Sequence, residues 1–600
     1  MKRVLLPVAA LALLGAGLWF GLTSGAKSPS LAVAALLPKE TLAVVHLPDL
    51  NTTRAQWQQT DIYRLWSEPA VQDFLARPLS RNPDAWAGAQ QLEQFEPLEA
   101  KDLFVAVVPV GERNLRLLGG FRFKGTRQDV EKLLGPWRER SWPARPETVQ
   151  HQQHQIEVRR EGGMLLATVY AADWFLAAND VPVLQTLLDR LDDRTPDAAA
   201  PLLADQEYVS ATGRMPVEYA FFGYARLAGF FERLPAALPP GSTVQEGSLV
   251  RRIRSIAAAT KFEGGKIRDV MFVTMPKADE MGELTRGSLS LTTANSFLYF
   301  AGMLHPTGDV SPQSGPAALT PGLPTALQGM LTRLARGGTT RDEWENTFGA
   351  EVGVIGDWQP ESRFPSLLAT LPVKDFAKAN EMLANIAGAD EENAWTTSER
   401  DGVRYYTQPP ANPMVPVAPT VAISNQLLVA GLDAPSVEAA MQRAVGRNPG
   451  LAASASFETA SRLVPTPRYS FTYVDLALLY TRLDAAVRPM LIMAAAFMPG
   501  ITERVDLGKL PPADVVVRHL GPTVVSQSYD ADGYVLASVG SISIYHAALG
   551  IAAATGAGVD FYRRQNQMIA EPDDAAAPAV HDPDAEPTPP TEEPDEEQEP

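Results

Sequence analysis

Leu118–Leu134 reads LGGFRFKGTRQDVEKLL, and Leu368–Ala384 reads LATLPVKDFAKANEMLA. Each opens as a strand-like run, passes a lysine (Lys124 or Lys374) and continues with helical periodicity. Val130, Leu133, Leu134 and Trp137 fall on one face of the first helix, and Phe376, Ala379, Leu383 and Ile386 on one face of the second. A second pair follows. Asp173–Leu191 (DWFLAANDVPVLQTLLDRL) matches Asn425–Ala444 (NQLLVAGLDAPSVEAAMQRA), each an apolar strand, a short turn and an amphipathic helix. In a third pair, Tyr219–Leu234 (YAFFGYARLAGFFERL) matches Tyr469–Leu483 (YSFTYVDLALLYTRL). The three pairs keep their order at a separation of about 250 residues. Collinear matches at a fixed offset are the mark of a repeated unit, and they predict a tandem duplication.

The flanks extend the match. Leu37–Leu50 (LPKETLAVVHLPDL) has a weaker counterpart in Leu291–Leu304 (LTTANSFLYFAGML). Ile256–Thr274 and Thr523–Gly540 both read as hairpins, turning at Gly264-Gly265 and Asp532-Gly533. Strand runs mixed with helices predict an α+β fold with a largely antiparallel sheet and packed amphipathic helices. The first repeat is expected over residues 30–288 and the second over 289–540. Whether the repeats share one sheet is left open. They diverge after their first strands. There the first carries Trp57, Ile62, Leu65, Trp66, Val71, Phe74 and Leu75 at helical spacing, expected to be core. The second has the Pro- and Gly-rich stretch 305–324.

The opening pattern resembles a known family. A hydrophobic N-terminus precedes LPKETLA at Leu37–Ala43, an apolar strand ending at Asp49, a Trp-containing helix and Glu68–Leu75 (EPAVQDFL). This is similar to the bacterial envelope proteins grouped as domain of unknown function 3352 (DUF3352). The resemblance covers most of residues 30–540 and implies an exported or anchored α+β protein. It brings no activity and no functional residues.

The termini point the same way. Lys2 and Arg3 precede Val4–Leu22, nineteen residues without a charge, near the length a spanning helix needs. Residues 1–29 are therefore read as a membrane anchor, with cleavage after Ser24-Gly25-Ala26 as the signal-peptide alternative. The positive-inside rule then puts residue 30 onward outside the cytoplasm. Residues 541–562, uncharged from Ser541 to Val559 and followed by Asp560, Arg563 and Arg564, are a candidate second membrane helix. Residues 563–600 are expected to be a disordered acidic tail: its last thirty residues hold twelve acidic side chains, eight prolines and no Lys or Arg.

That tail accounts for most of the net charge of -18; without it, 58 acidic residues face 52 basic ones. Neither part has the basic footprint of a nucleic-acid binder. With no cysteine, disulfides, thiolate metal sites and a Cys nucleophile are excluded. Among the seven histidines only His151 and His154 lie close together, and their Gln-rich surroundings predict a solvated loop, not a metal site. Asp192-Asp193 and Glu391-Glu392 read as exposed loop carboxylates, and Asp49 and Asp475 as helix caps. The apolar run Pro489–Ile501 (PMLIMAAAFMPGI) is too short to span a bilayer and is expected to be core or an interface helix. No nucleophile elbow, Walker loop or dinucleotide fingerprint occurs.

No catalytic, cofactor-binding or metal residue is therefore nominated. The expected protein sits in a bacterial inner membrane with its bulk in the periplasm. It would serve as a non-enzymatic binding or scaffolding platform for a protein or lipid partner. An envelope hydrolase with a site hidden in the fold, and an assembly factor recruiting through the acidic tail, are the alternatives.

Overall fold

The computed structural model describes residues 30–80, 94–111, 114–194, 200–233, 252–276, 282–303, 341–388, 395–410, 417–446, 450–497 and 506–544. These belong to one unit ending at Ile544. The segments expected as anchor, second membrane helix (beyond Ile544) and acidic tail lie outside the described residues, as does Glu391-Glu392. Among the described residues no helix is long and apolar enough to cross a membrane.

Runs rich in Val, Phe, Tyr and Ile, four to ten residues long, form the strands. The first half has β1 (Ala43–Asp49), β2 (Lys101–Val110), β3 (Asn114–Arg122), β4 (Glu147–His151), β5 (His154–Glu161), β6 (Met164–Ala171), β7 (Trp174–Ala178), β8 (Phe221–Arg226), β9 (Ser255–Glu263) and β10 (Lys266–Thr274). The second has β11 (Ser296–Met303), β12 (Glu351–Asp357), β13 (Ser366–Pro372), β14 (Thr396–Arg400), β15 (Val403–Thr407), β16 (Thr420–Ile423), β17 (Leu427–Gly431), β18 (Ser470–Asp475), β19 (Pro522–Tyr529) and β20 (Gly533–Gly540).

Hydrogen bonding orders the first ten as β4-β5-β6-β7-β3-β2-β1-β8-β9-β10. The second ten follow the same sequence of partners, β14-β15-β16-β17-β13-β12-β11-β18-β19-β20. β10 and β20 then pair along their length, with Ile267 opposite Gly540 and Thr274 opposite Gly533. The result is a single antiparallel sheet of twenty strands, so the fold is α+β and the two halves share their hydrogen bonding.

Helices cover both faces. In order they are α1 (Ser30–Leu36), α2 (Leu50–Trp57), α3 (Asp61–Trp66), α4 (Pro69–Ser80), α5 (Arg127–Ser141), α6 (Val181–Leu191), α7 (Gln206–Thr212), α8 (Leu227–Arg233), α9 (Arg341–Thr347), α10 (Phe376–Gly388), α11 (Ala434–Val445), α12 (Ala455–Ser461), α13 (Leu476–Phe497) and α14 (Ala513–Val517). On one face of the first half, Val33 of α1, Leu184 of α6 and Tyr208 of α7 bury against Val44, Phe104 and Leu176. On the other, Val130 of α5 packs with Phe121 and Phe175. The second half repeats this, with Val437 of α11 against Tyr299 and Val429, and Ala379 of α10 against Val354. Each half's first helix after a hairpin edge is capped alike: Asp180 accepts from Val183 N at 3.2 Å and Asp433 from Ser436 N at 2.8 Å. Asp49 and Asp475 are caps as expected, accepting from Thr52 N and Leu478 N at 2.8 and 2.9 Å.

Two expectations about packing need correction. The stripe from Trp57 to Leu75 is not core: all seven residues are half-buried on α2, α3 and α4. Trp57 and Ile62 pack against the small cluster of Ala220, Phe262 and Ile267. On α5, Trp137 does not share the buried face of Val130. It is 53% exposed, next to Pro136 in the last turns of the helix.

Candidate functional site

Period-two alternation in β1 sends Val44 and His46 to one face and the exposed Val45 to the other. His46 is thereby buried. Its Nδ1 shares a hydrogen bond of 3.0 Å with Tyr219 Oη, and its Nε2 faces Asp102 Oδ1 across 3.5 Å. Asp102 is turned inward by a break in the β2–β3 register, where its own φ is +48°. Arg122 Nη1 donates to Asp102 Oδ2 at 3.3 Å and its Nε to the exposed Asp173 at 2.8 Å. A polar chain thus runs from Tyr219 in the core to the surface. The space beside His46, lined by Val33, Leu37, Val44 and Phe222, has no room for a water molecule. The cluster holds a buried His beside a buried carboxylate, but it is sealed.

The sequence reading missed this cluster. The alternation of β1 was a legible signal that His46 points inward. Nothing in Lys101-Asp102-Leu103 announces the register break that brings Asp102 to it.

Other histidines of the described residues pair with carboxylates. His151 and His154 are not in a solvated loop: they face each other across the β4–β5 hairpin. His151 Nε2 pairs with Asp189 at 2.8 Å and buried His154 Nε2 with Asp192 at 3.0 Å. Asp192, in the turn after α6, is correspondingly only 14% exposed, contrary to the reading of it as an exposed carboxylate. Among the described residues, no three metal-ligating side chains converge. His519 Nε2 meets Glu68 at 2.6 Å, and Arg518 donates to the same carboxylate at 2.7 Å. The hydrogen bond from His519, seconded by Arg518, holds Glu68 below the usual carboxylate range.

A second polar centre lies at the seam of the two halves. Asp269 of β10 is fully buried and accepts from Thr260 Oγ1 (2.6 Å), Ser543 Oγ (2.7 Å) and Ile544 N (2.9 Å). Burial pushes its carboxyl above the ordinary range. It fastens the chain where it leaves β20.

Among the described residues, consecutive exposed apolar side chains mark the end of α13. This helix has 22 residues, and Arg488 near its middle is gripped by Asp484 and by the carbonyls of Leu510 and Pro511. Beyond Pro489 the grip ends. Met490, Leu491, Ile492 and Met493 are 46, 36, 57 and 62% exposed, so of the two expectations for this run, core or an interface helix, core does not hold. Phe364 (49% exposed) and Arg363 adjoin them, with the Arg363 guanidinium 3.8 Å from Met490 Sδ and stacked over the Phe364 ring. Four consecutive exposed apolar side chains make this helix end a candidate interaction surface.

No protein-family model and no curated protein matches the chain. Among solved structures, one described as crystal form I of TP0453 is similar over 42% of this chain and 82% of its own. The identity is 9% and the TM-score 0.21, too slight a likeness to bear on function.

Proposed function

We propose that this chain is a membrane-anchored, extracytoplasmic and non-enzymatic platform of the bacterial envelope, built by tandem duplication of an α+β unit over residues 30–288 and 289–540. The duplication is supported by the identical partner order of the two sets of ten strands and by the three collinear sequence pairs. The observation that carries the function is the exposed apolar end of α13, on a body whose buried His46 adjoins a space too small to admit a water molecule. The anchor reading gains from α1. Val33, Ala34 and Leu37 are seated in the core, so only residues 23–29 separate the folded body from the apolar run 4–22. Seven residues reach about 25 Å at most, which keeps the platform close to the bilayer. The resemblance of Leu37–Ala43 and Glu68–Leu75 to the DUF3352 envelope proteins fits the same reading.

An alkaline phosphatase reporter fused after residue 530 tests the placement. Activity is expected; an expressed but inactive fusion overturns it. A second fusion after residue 600 reads the side on which the acidic tail lies. The hydrolase alternative rests on the convergence of His46, Asp102 and Tyr219. Turnover of any ester, amide or glycoside substrate that is lost in His46→Ala, with the melting temperature preserved, would replace the platform reading with that one.

A further inference from the structure

We propose that the projecting end of α13 enters the interfacial layer of a lipid bilayer, which makes the membrane itself the partner of this surface. The inference rests on the anchored-platform reading and adds a second, independent point of contact.

The angular distribution of the patch selects the partner. Successive helical residues are 100° apart, so Met490 to Met493 together sweep about 300° of the helix circumference. A protein groove or a second copy recognises a stripe, at spacings of three and four, and leaves the opposite side polar. An apolar medium contacts a helix from all sides. The sequence agrees, since Pro489–Ile501 carries no charge. The reach fits one leaflet: from Pro489 to Phe497 the helix rises about 13 Å, against the roughly 15 Å of half a hydrocarbon core. At the rim the Arg363 guanidinium lies beside Met490 and over Phe364, placing a cation where lipid phosphates would sit and an aromatic ring at the interfacial level. Upstream, the tie of Arg488 to Asp484 and to the carbonyls of Leu510 and Pro511 holds the base of the projection rigid.

The absence of native cysteine makes the test direct. Full-length protein with a single cysteine at Ile492, or as a control at Val445 (91% exposed), is labelled with an environment-sensitive fluorophore. It is then reconstituted in phosphatidylcholine–phosphatidylglycerol vesicles with or without lipids doxyl-labelled near the headgroup. The 492 emission is expected to shift to the blue and fall by about half with doxyl lipid, while the 445 emission stays aqueous. In an Ile492→Glu, Met493→Glu background with unchanged circular dichroism, a label at Met490 should return to the aqueous spectrum. If the protein floats with the vesicles but the 492 label remains aqueous, the anchor stands and this proposal falls. If the protein does not float at all, the anchored reading falls with it. A blue shift that ignores doxyl lipid and grows with protein density would assign the surface to a second copy and overturn the proposal.

Discussion

Asp269 shows how one side chain governs the chain's exit from the sheet. Its two oxygens take the hydroxyls of Thr260 and Ser543 and the amide of Ile544, all within the seam. Asp269→Ala would leave those donors buried without an acceptor, at a cost of about 3 kcal/mol or more. The amide of Ile544 should then lose its protection from hydrogen exchange before the sheet unfolds, and retained protection would remove Asp269 from this role. The charge itself has the opposite sign. Burial raises the carboxyl above its ordinary 3.8, so between that value and the raised one the folded state binds more proton than the unfolded state. Stability from this group is therefore complete below the ordinary value and is lost as pH rises through the raised one. Asp269→Asn has no such loss, and its Oδ1 can still accept from Ser543 and Ile544. The melting temperature of the variant, measured relative to the native chain, should increase across that pH window. Parallel curves would show that the carboxyl titrates as it does in the unfolded chain.

Between elements, the seam is clasped beyond its ladder of hydrogen bonds. Arg214, just after α7, donates to Asp530 at 2.6 Å and Asp532 at 2.7 Å in the β19–β20 turn, and its guanidinium lies over the Phe272 ring. From the other side, Arg268 of β10 donates to the Leu463 carbonyl after α12 at 2.8 Å. Both Asp partners are more than a third exposed, so solvent screens the ion pairs, and Arg214→Ala should cost about 1 kcal/mol. Gly533 is less forgiving. A Cβ there would sit 2.1 Å from the Val273 carbonyl oxygen, backbone that cannot turn aside. Gly533→Ala should cost about 2–3 kcal/mol by forcing β20 away from β10. Urea melts of the two variants rank these effects, and a milder Gly533→Ala would mean that the strands separate without penalty. Such seam contacts were invisible in the sequence, because Arg214 and Asp530 are 316 residues apart and neither lies in a motif. What was legible was local: the hairpins at Gly264-Gly265 and Asp532-Gly533, the caps at Asp49 and Asp475, and the paired strand–helix segments. Periodicity failed where it was asked which side an apolar face meets. It reports that Trp57–Leu75 and Met490–Met493 are apolar, but it carries no record of whether a sheet lies above them. His46 falls between these cases, since its inward direction follows from alternation while its partner Asp102 arrives through a register break.

At the scale of the molecule, the continuity of the sheet makes the two halves interdependent. β10 gives eight consecutive residues, Ile267–Thr274, to β20, and nothing else among the described residues covers that edge. A half made alone would therefore end in a long bare strand of apolar composition, the arrangement that drives edge-to-edge association. The native pairing is antiparallel and joins equivalent strands of the two halves, so β10 of one copy can take the place of β20 opposite β10 of another. Residues 30–288 expressed alone should accordingly elute as a dimer or larger species. Adding residues 289–544 during synthesis should convert them to a one-to-one complex of the mass of the intact body. The intact chain should melt in a single transition, since opening either half exposes the seam of the other. A folded, monomeric 30–288 fragment, or two separate transitions in the full chain, would mean that the β10–β20 ladder contributes little and that each half is closed by its own core. The distinction bears on the proposed function, because an apolar helix end can be held at a fixed depth in a bilayer only if the half that carries it moves rigidly with the half that carries the proposed anchor.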